Sequence, residues 1–162
     1  MNNMREILFK AKRKNWKELP KEDWWVEGYY IKMTLGTDIK PSDVIFVPFK
    51  ISRNEEWGWM KIDPTTICQY TGLTDKNGKK IWENDILRYS HEYEGSPFLK
   101  EGEDVKYRVG AVFWSEWRGS WAVCGRGKKK CINNDVFKYN RNPNRTEVIG
   151  NVFDNPELLE VE

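Results

Sequence analysis

Aromatic and basic side chains are concentrated between residues 114 and 130, and this concentration suggests a binding function. Indole rings offer stacking surfaces for nucleobases and cations offer contacts to phosphates, a combination that holds single-stranded nucleic acids. The alternative is that Trp114 and Trp121 face the core while the lysine run is a solvated hairpin tip that protects a sheet edge. The candidate polyanion-binding residues are Trp117, Arg118, Arg126, Lys128, Lys129 and Lys130.

His91 is the only histidine of the chain, so any histidine-based catalysis has to use it. A nucleophile–base pair would combine it with Cys68 or Ser90, and a third group would have to orient the base. A lone histidine at the start of a polar loop is more often solvated. We therefore predict no catalytic residues and a non-enzymatic protein.

The cysteines do not predict a metal site. Cys124 and Cys131 flank the basic run at a spacing that suits the two sides of a hairpin. Zinc normally takes four ligands, with its cysteines in short Cys-x2–4-Cys spacings. Cys68 and His91 would complete such a set only by a long-range coincidence. Ordinary thiols are the simpler interpretation, and we predict neither a metal nor a cofactor.

Glu83 and Asp85 form a carboxylate pair two residues apart. Such pairs cleave glycosidic bonds, but an aspartate in a turn more often accepts hydrogen bonds from nearby backbone N–H groups. We favour the structural role here. The chain also contains no Walker loop, no G-x-G-x-x-G and no G-x-S-x-G, so the main nucleotide and hydrolase fingerprints are absent.

The composition is that of a folded intracellular protein. The 162 residues are 39% hydrophobic, and nine Trp, seven Tyr and seven Phe supply large side chains for a core. A net charge of +2 is too small to require a nucleic-acid or anionic-membrane partner. Three cysteines, an odd number, argue against a disulfide-stapled secreted domain. No apolar run suits a membrane span or a signal segment, so we expect a cytoplasmic location.

Period-two patterns predict a mainly β protein with about ten strands. Arg5 to Arg13 alternates, and Trp24 to Lys32 returns as its antiparallel partner. The basic continuation from Lys12 to Lys17 is either a phosphate-binding patch or, as we favour, a solvated turn. Tyr107 to Glu116 and Ser120 to Cys124 predict a later hairpin.

Two expectations concern helical turns and domains. Asp63 before Pro64 predicts the cap of a single helical turn. We expect residues 1–66 to form an N-terminal β-hairpin region and residues 67–162 a C-terminal SH3-like β region, or both to form one continuous unit. Antiparallel sheets with a partly closed SH3-like barrel are the expected architecture.

The stretch from Gln69 to Tyr89 contains two tight turns. In the first, Asn77 and Gly78 are expected at positive φ, because Asn-Gly suits a two-residue hairpin. The second turn, Trp82 to Asp85, leads into a strand from Ile86. An Asp turn followed by a strand and a twisted hairpin is also typical of small SH3-like barrels, an analogy of fold that licenses no function.

Five segments, in this order, resemble those of a known family. They are Met4 to Ile7, Trp25 to Tyr30, Gln69 to Gly78, Ile81 to Ile86 and Val148 to Leu159. The chain resembles the YopX family of phage and prophage proteins over nearly its whole length. The resemblance implies a phage or prophage origin and a mainly β fold, but no activity and no catalytic residues. Asn84 stands where the family usually has Gly, and Asn tolerates the left-handed region well enough to keep the turn.

The leading hypothesis is a phage accessory protein that acts by binding, without catalysis, as a homo-oligomer. The oligomer is inferred from the aromatic content, which exceeds what a domain of this size readily hides. The alternative hypothesis is a nucleic-acid-binding module that uses the 124–131 hairpin and the neighbouring aromatics. The sequence indicates no membrane partner and identifies no small-molecule ligand.

Overall fold

The fold is known from a computed structural model. The structure describes residues 6–34, 40–47, 58–90, 97, 100, 102, 104–124, 134–136 and 145–160. In this part of the chain the strands form antiparallel sheets, and the helical segments are short 3-10 turns, so the predicted mainly β class is confirmed. None of these helical segments is long and apolar enough to cross a membrane. The chain divides into two compact units, Met1–Tyr70 and Thr71–Glu162, whereas the boundary expected from the sequence lay after residue 66.

The first unit is an antiparallel sheet with the strand order β4-β3-β2-β1-β5. Its strands are β1 (Phe9–Lys12), β2 (Trp25–Met33), β3 (Ser42–Phe46), β4 (Trp59–Lys61) and the first part of β5 (Cys68–Thr74). Two 3-10 turns, Trp16–Glu18 and Lys21–Asp23, connect β1 to β2. The predicted hairpin of the first two strands is therefore present, with Phe9 opposite Gly28.

One face of this sheet forms the core of the first unit. Ala11, Val26, Ile45 and Ile62 are buried together there, as expected when alternate residues of a strand point to the same side. Gly28 allows two strands to approach closely, because a Cβ at this position would lie 2.1 Å from the carbonyl oxygen of Phe46.

The predicted helical turn at Asp63 is confirmed as a 3-10 turn, Pro64–Thr66. The carboxylate of Asp63 accepts hydrogen bonds from the backbone N–H of Thr65 at 3.1 Å and from its hydroxyl at 2.7 Å. Thr66 in turn connects the turn to β1, because its hydroxyl accepts a hydrogen bond from the backbone N–H of Lys12 at 2.9 Å.

The second unit contains a five-stranded antiparallel sheet with the order β10-β9-β8-β7-β11. After the last part of β5 come β6 (Lys80–Trp82), β7 (Asp85–Ser90), β8 (Tyr107–Ser115), β9 (Ser120–Cys124), β10 (Asn134–Asp135) and β11 (Thr146–Asn151). A terminal 3-10 turn, Pro156–Leu159, follows. The core of this unit consists of Ile81, Leu87, Tyr89, Val112, Trp121, Val123 and Val136. In the described part of the second unit, β10 and β11 are the two edge strands of an open sheet. The predicted partly closed SH3-like barrel is therefore not confirmed.

The first central turn differs from the prediction. Gly78 has a φ of 77°, but among the described non-glycine residues only Asn84 has positive φ, so the prediction for Asn77 is wrong. The reason is the side chain of Asp75, which accepts hydrogen bonds from the backbone N–H groups of Asn77 and Lys79 at 2.8 and 3.0 Å. In addition, the backbone N–H of Gly78 donates a hydrogen bond to the carbonyl of Asp75. Together these bonds favour a three-residue turn with a single left-handed glycine.

The second central turn is as predicted. Asn84 has a φ of 65°, so it occupies the left-handed region in place of the usual glycine. Asp85 is 2% exposed, and its carboxylate accepts a hydrogen bond from the backbone N–H of Trp82 at 2.9 Å. This contact gives Asp85 a structural role in the turn.

Candidate binding surfaces

Two of the predicted polyanion-binding residues lie in the turn between β8 and β9. Trp117 is 76% exposed, the most exposed large hydrophobic side chain of the described residues. The guanidinium carbon of Arg118 lies 5.0 Å from the centre of its ring. The pair therefore forms an exposed aromatic and cationic surface.

The neighbouring tryptophans divide between the core and the surface. Trp114 and Trp121 are partners across β8 and β9, and their rings meet edge to face with centres 5.1 Å apart. Trp121 is only 2% exposed and belongs to the core, whereas Trp114 is 43% exposed. The alternative interpretation that these tryptophans face the core is thus correct for Trp121. Trp114 packs against it from the surface.

The four remaining candidates, Arg126, Lys128, Lys129 and Lys130, lie outside the described residues. Ser120, at one end of β9, adjoins the turn that carries Trp117, and Cys124 is at the other end. At about 3.3 Å per residue the strand separates these ends by about 13 Å. A site that combined all six residues would have to extend along β9, and their grouping stays a prediction.

No three His, Cys, Asp or Glu side chains could hold a metal ion together in the described part of the chain. His91 and Cys131 lie outside it. Cys68 is buried, and its Sγ donates to the carbonyl of Thr66 at 3.4 Å. Cys124 is disulfide-bonded, which differs from the expectation of ordinary thiols.

A second group of aromatic and basic residues lies in the first unit. We call Lys12, Trp16, Trp24 and Trp25 the lysine–tryptophan cluster. The Nζ atom of Lys12 lies 4.0, 4.5 and 5.5 Å from the ring centres of Trp16, Trp24 and Trp25. Lys12 is only 2% exposed, so its ammonium group is held among three indole rings, which attract a cation through their negative faces.

The strand register and the two 3-10 turns build this cluster. Lys12 and Trp25 are direct partners across β1 and β2. The turns between these strands bring Trp16 and Trp24 together, edge to face, with ring centres 4.7 Å apart. The indole N–H of Trp24 donates to the carbonyl of Leu19 at 2.9 Å, which fixes its orientation.

A carboxylate lies beside the cluster. The pKa of Asp63 is lowered, chiefly by the hydrogen bond from the Thr65 hydroxyl, and further by a hydrogen bond from Trp16 and by the positive charge of Lys12. Asp63 therefore stays ionised to lower pH than an isolated aspartate, and it supplies negative charge near the enclosed ammonium group.

The sequence offers Lys12 to Lys17 as a candidate phosphate-binding patch but gives no direct sign of its contact with the tryptophans. The available signal was the predicted pairing of the first two strands, which places the end of one beside Trp24 and Trp25. The contribution of Trp16 depends on the two 3-10 turns, which the sequence pattern did not predict.

A third surface is a row of aromatic side chains across three strands. Tyr29 of β2 is opposite Phe46 of β3, and Phe46 is opposite Trp59 of β4. The rings of Phe46 and Trp59 are 4.6 Å apart. We call these three residues the aromatic row. They alternate with the core residues Tyr30 and Ile45, so they occupy the opposite face of the sheet.

This face keeps large apolar groups in contact with solvent. Tyr29 is 44% exposed, and Trp59 and Ile31 are each 39% exposed. Single exposed apolar residues are ordinary, but a contiguous patch is typical of an interaction surface.

An ion-pair network lies on the second unit. The carboxylate of Glu147 forms ion pairs with the ammonium group of Lys76, 2.9 Å away, and with the guanidinium group of Arg88, 2.6 Å away. The hydrogen bond from Lys76 is the main cause that lowers the pKa of Glu147, and Arg88 adds to it. Arg88 also lies over the ring of Tyr107. The carboxylate of Glu147 offsets one of these two positive charges and engages both cations, so the group is a weaker candidate for binding an anion.

Comparison with known proteins identifies the family. A family model described as YopX protein matches residues 20–160. The chain belongs to the YopX family. Protein EF1440 from Enterococcus faecalis, whose crystal structure is solved, is 22% identical to this YopX-family chain, with a TM-score of 0.49. That match covers 96% of this chain and 99% of that chain. A search of curated proteins found no match.

The family membership confirms the resemblance to the YopX family; four of the five segments lie within the matched residues 20–160, and Met4 to Ile7 lies before them. The description of the family names no activity, so it supplies no catalytic residues for this YopX chain. Its phage or prophage origin stays a prediction.

Proposed function

We propose that this YopX-family protein is a non-enzymatic binding protein that works as a homo-oligomer. The observation that carries the proposal is the aromatic row of Tyr29, Phe46 and Trp59, whose outer members are 44% and 39% exposed. The proposal includes the phage or prophage setting and the cytoplasmic location expected from the sequence.

A second copy of the chain is the partner that suits this surface. The aromatic row ends on β4, which is an edge strand of the sheet in the described part of the first unit. The same face on two copies related by a two-fold axis would bring like rings together, and such isologous contacts are the commonest in soluble oligomers. Aromatic pairs add about 0.5–1.5 kcal/mol each beyond the area that they bury, so three rings per copy form an effective interface centre.

The charge on this face also favours a copy over a strongly charged partner. The row itself is uncharged and Ile31 extends it along β2, while Glu27 and Lys61 lie on the same face at its margins. Depletion of charge and enrichment of aromatic rings are typical of the centre of a protein–protein interface. The row covers only part of the roughly 800 Å² per partner that a stable interface needs, so neighbouring polar residues are expected to form its rim.

The test is the molar mass in solution, measured by light scattering over a wide concentration series. We expect a multiple of 19.3 kDa for the wild type and a shift towards the monomer for Tyr29→Ser with Trp59→Ser. Trp117→Ser is the matched control, because it removes a more exposed ring from the second unit. A wild type that stays monomeric, or a control that dissociates equally, would contradict the proposal.

A second candidate function is nucleic-acid binding, and the exposed pair of Trp117 and Arg118 favours it. A ring beside a guanidinium group offers stacking and phosphate contact in one place. The test is fluorescence anisotropy of a labelled single strand at physiological ionic strength, with the wild type compared with a variant in which Lys128, Lys129 and Lys130 are changed to Ala. Equal binding by both would exclude the predicted role of the basic run.

A further inference from the structure

The lysine–tryptophan cluster is surrounded by more cations than its own Lys12. The Nζ atom of Lys10 lies 5.1 Å from the ring centre of Trp25, that of Lys17 lies 5.5 Å from Trp16, and that of Lys21 lies 5.7 Å from Trp24. Each of the three indole rings thus has a separate lysine beside it in addition to the shared one. Lys17 and Lys21 are exposed, and the three rings are half-buried.

Positive charge is concentrated in one segment of the first unit, and acidic side chains lie around that segment. Residues 10–17 contain five cationic side chains and no acidic one, whereas the net charge of the whole chain is only +2. The acidic side chains nearby are Glu18, Glu22, Asp23, Glu27 and Asp63; Glu27 is the direct cross-strand partner of Lys10, and Asp63 lies beside Lys12.

We infer that the lysine–tryptophan cluster, together with Lys10, Lys17 and Lys21, is a binding site for single-stranded nucleic acid. Unpaired bases stack on the exposed parts of the indole rings, and the neighbouring ammonium groups contact the phosphates of the same nucleotides. Lys12 has a different role: its buried ammonium group holds the three rings around it, so the stacking surfaces are arranged before the ligand arrives.

Because each ring has a lysine beside it, the site suits single-stranded nucleic acid better than other polyanions. An acidic peptide such as polyglutamate would use the cations but has no ring or sugar face to stack on the indoles. A duplex would offer phosphates, but its bases are already stacked on one another. The inference rests on the second candidate function, nucleic-acid binding, and assigns it to the first unit instead of the 124–131 hairpin.

The main test compares two variants that each lose three positive charges. Lys10, Lys17 and Lys21 are changed to Ala in one, and the exposed Lys32, Lys40 and Lys100 are changed to Ala in the other. Binding of a fluorescein-labelled oligothymidylate is measured by anisotropy at several salt concentrations. Each phosphate contact with a single strand contributes about 0.7 to the slope of log K against log salt, so we expect the first variant to flatten it by about 2. The control variant should keep the wild-type slope.

The role of the rings is tested on the wild type, which avoids a variant that fails to fold. We expect the single strand to bind at least about tenfold more tightly than a duplex of matched sequence, because stacking requires unpaired bases. Polyglutamate should compete only weakly. Equal affinity for single strand and duplex, or equally effective competition by polyglutamate, would overturn the inference.

The remaining outcomes separate this inference from the function on which it rests. If the wild type binds no oligonucleotide, both the inference and nucleic-acid binding fail, while the homo-oligomer proposal is unaffected. If the wild type binds and affinity is lost only when Lys128, Lys129 and Lys130 are changed, the nucleic-acid function stands and the site assigned here is wrong. Equal slopes for the two triple variants would also overturn it.

Discussion

The carboxylate of Asp75 accepts a hydrogen bond from the backbone N–H of Val148, 3.0 Å away and 73 residues later in the chain. Its other oxygen accepts from the N–H groups of Asn77 and Lys79. Asp75 is only 3% exposed. One buried side chain therefore closes the first central turn and holds β11 beside it.

Asp75→Asn should destabilise the protein strongly. Asparagine has nearly the same size, but it has one acceptor oxygen where Asp75 uses two, and its NH₂ group would face backbone N–H donors. Hydrogen bonds to charged groups contribute about 1.5–3 kcal/mol each, and an unsatisfied buried donor adds a further cost. We expect a loss of about 2–3 kcal/mol in the free energy of unfolding, measured with urea. The exposed Asp104→Asn is the control, and equal stabilities for the two variants would contradict the role of Asp75.

Gly28→Ala should cost more than Gly78→Ala, although Gly78 is the glycine with positive φ. A Cβ at Gly28 would lie 2.1 Å from the backbone oxygen of Phe46, whereas a Cβ at Gly78 would meet nothing within 4 Å. The first change forces two strands apart, with a cost of about 1–3 kcal/mol or more. The second costs only the left-handed strain, about 1–2 kcal/mol. Urea unfolding of both variants checks the order, and the reverse order would contradict the close approach at Gly28.

Much of the fold could be predicted because its signals are local. Asp63 before Pro64 predicts its capped turn from two adjacent residues, and Asn84 occupies its left-handed position for a reason that lies in its own side chain. The hairpin of β8 and β9 follows from alternation on both sides of a Gly-containing turn. Asn77 was predicted wrongly because the side chain of Asp75, which the Asn-Gly signal does not include, determines that turn.

The candidate sites depend on contacts between residues distant in sequence, and so they were harder to predict. Trp117 and Arg118 are neighbours in sequence, and their exposure in a turn could be expected. The aromatic row requires the register of three strands, which places Tyr29, Phe46 and Trp59 in line. Alternation alone predicts which residues share a face of one strand, but it does not predict which residues of the next strand lie opposite.

Acid should destabilise the protein partly through Asp63 and Glu147. The pKa of Asp63 is lowered from 3.8, chiefly by Thr65, and that of Glu147 from 4.5, chiefly by Lys76. A carboxyl with a lowered pKa in the folded state contributes stability above its unfolded pKa and loses it as the pH falls through the folded value. Stability should therefore decline below about pH 4.5.

Two variants check this pH dependence. Asp63→Asn and Glu147→Gln should each be less stable than the wild type at neutral pH, and the difference should shrink as the pH falls below 3.8 for the first and below 4.5 for the second. Urea unfolding at a series of pH values measures both. A difference that stays constant with pH would show that these carboxyls do not contribute through their ionised forms.

Lys12→Met tests whether the enclosed ammonium group stabilises the first unit. Methionine keeps an unbranched side chain of similar length but removes the charge that lies 4.0 Å from the ring centre of Trp16. A desolvated cation–π contact contributes about 2 kcal/mol, and relief from burying a charge offsets part of this loss. The balance of these two effects is an expected decrease of about 1 kcal/mol in the free energy of unfolding. The loss of a cation beside Asp63 acts in the same direction.

A second measurement on Lys12→Met separates electrostatics from packing. The charge of Lys12 lowers the pKa of Asp63, in addition to the larger effect of the Thr65 hydroxyl. Removing the charge should therefore raise the pKa of Asp63, which NMR of its carboxyl carbon can follow during a titration. Lys21→Met is the matched control, because Lys21 is exposed and lies 5.7 Å from the centre of Trp24. If Lys12→Met is as stable as the control and the pKa of Asp63 does not change, the ammonium group does not hold the cluster together, and the three tryptophans must be positioned by their packing alone.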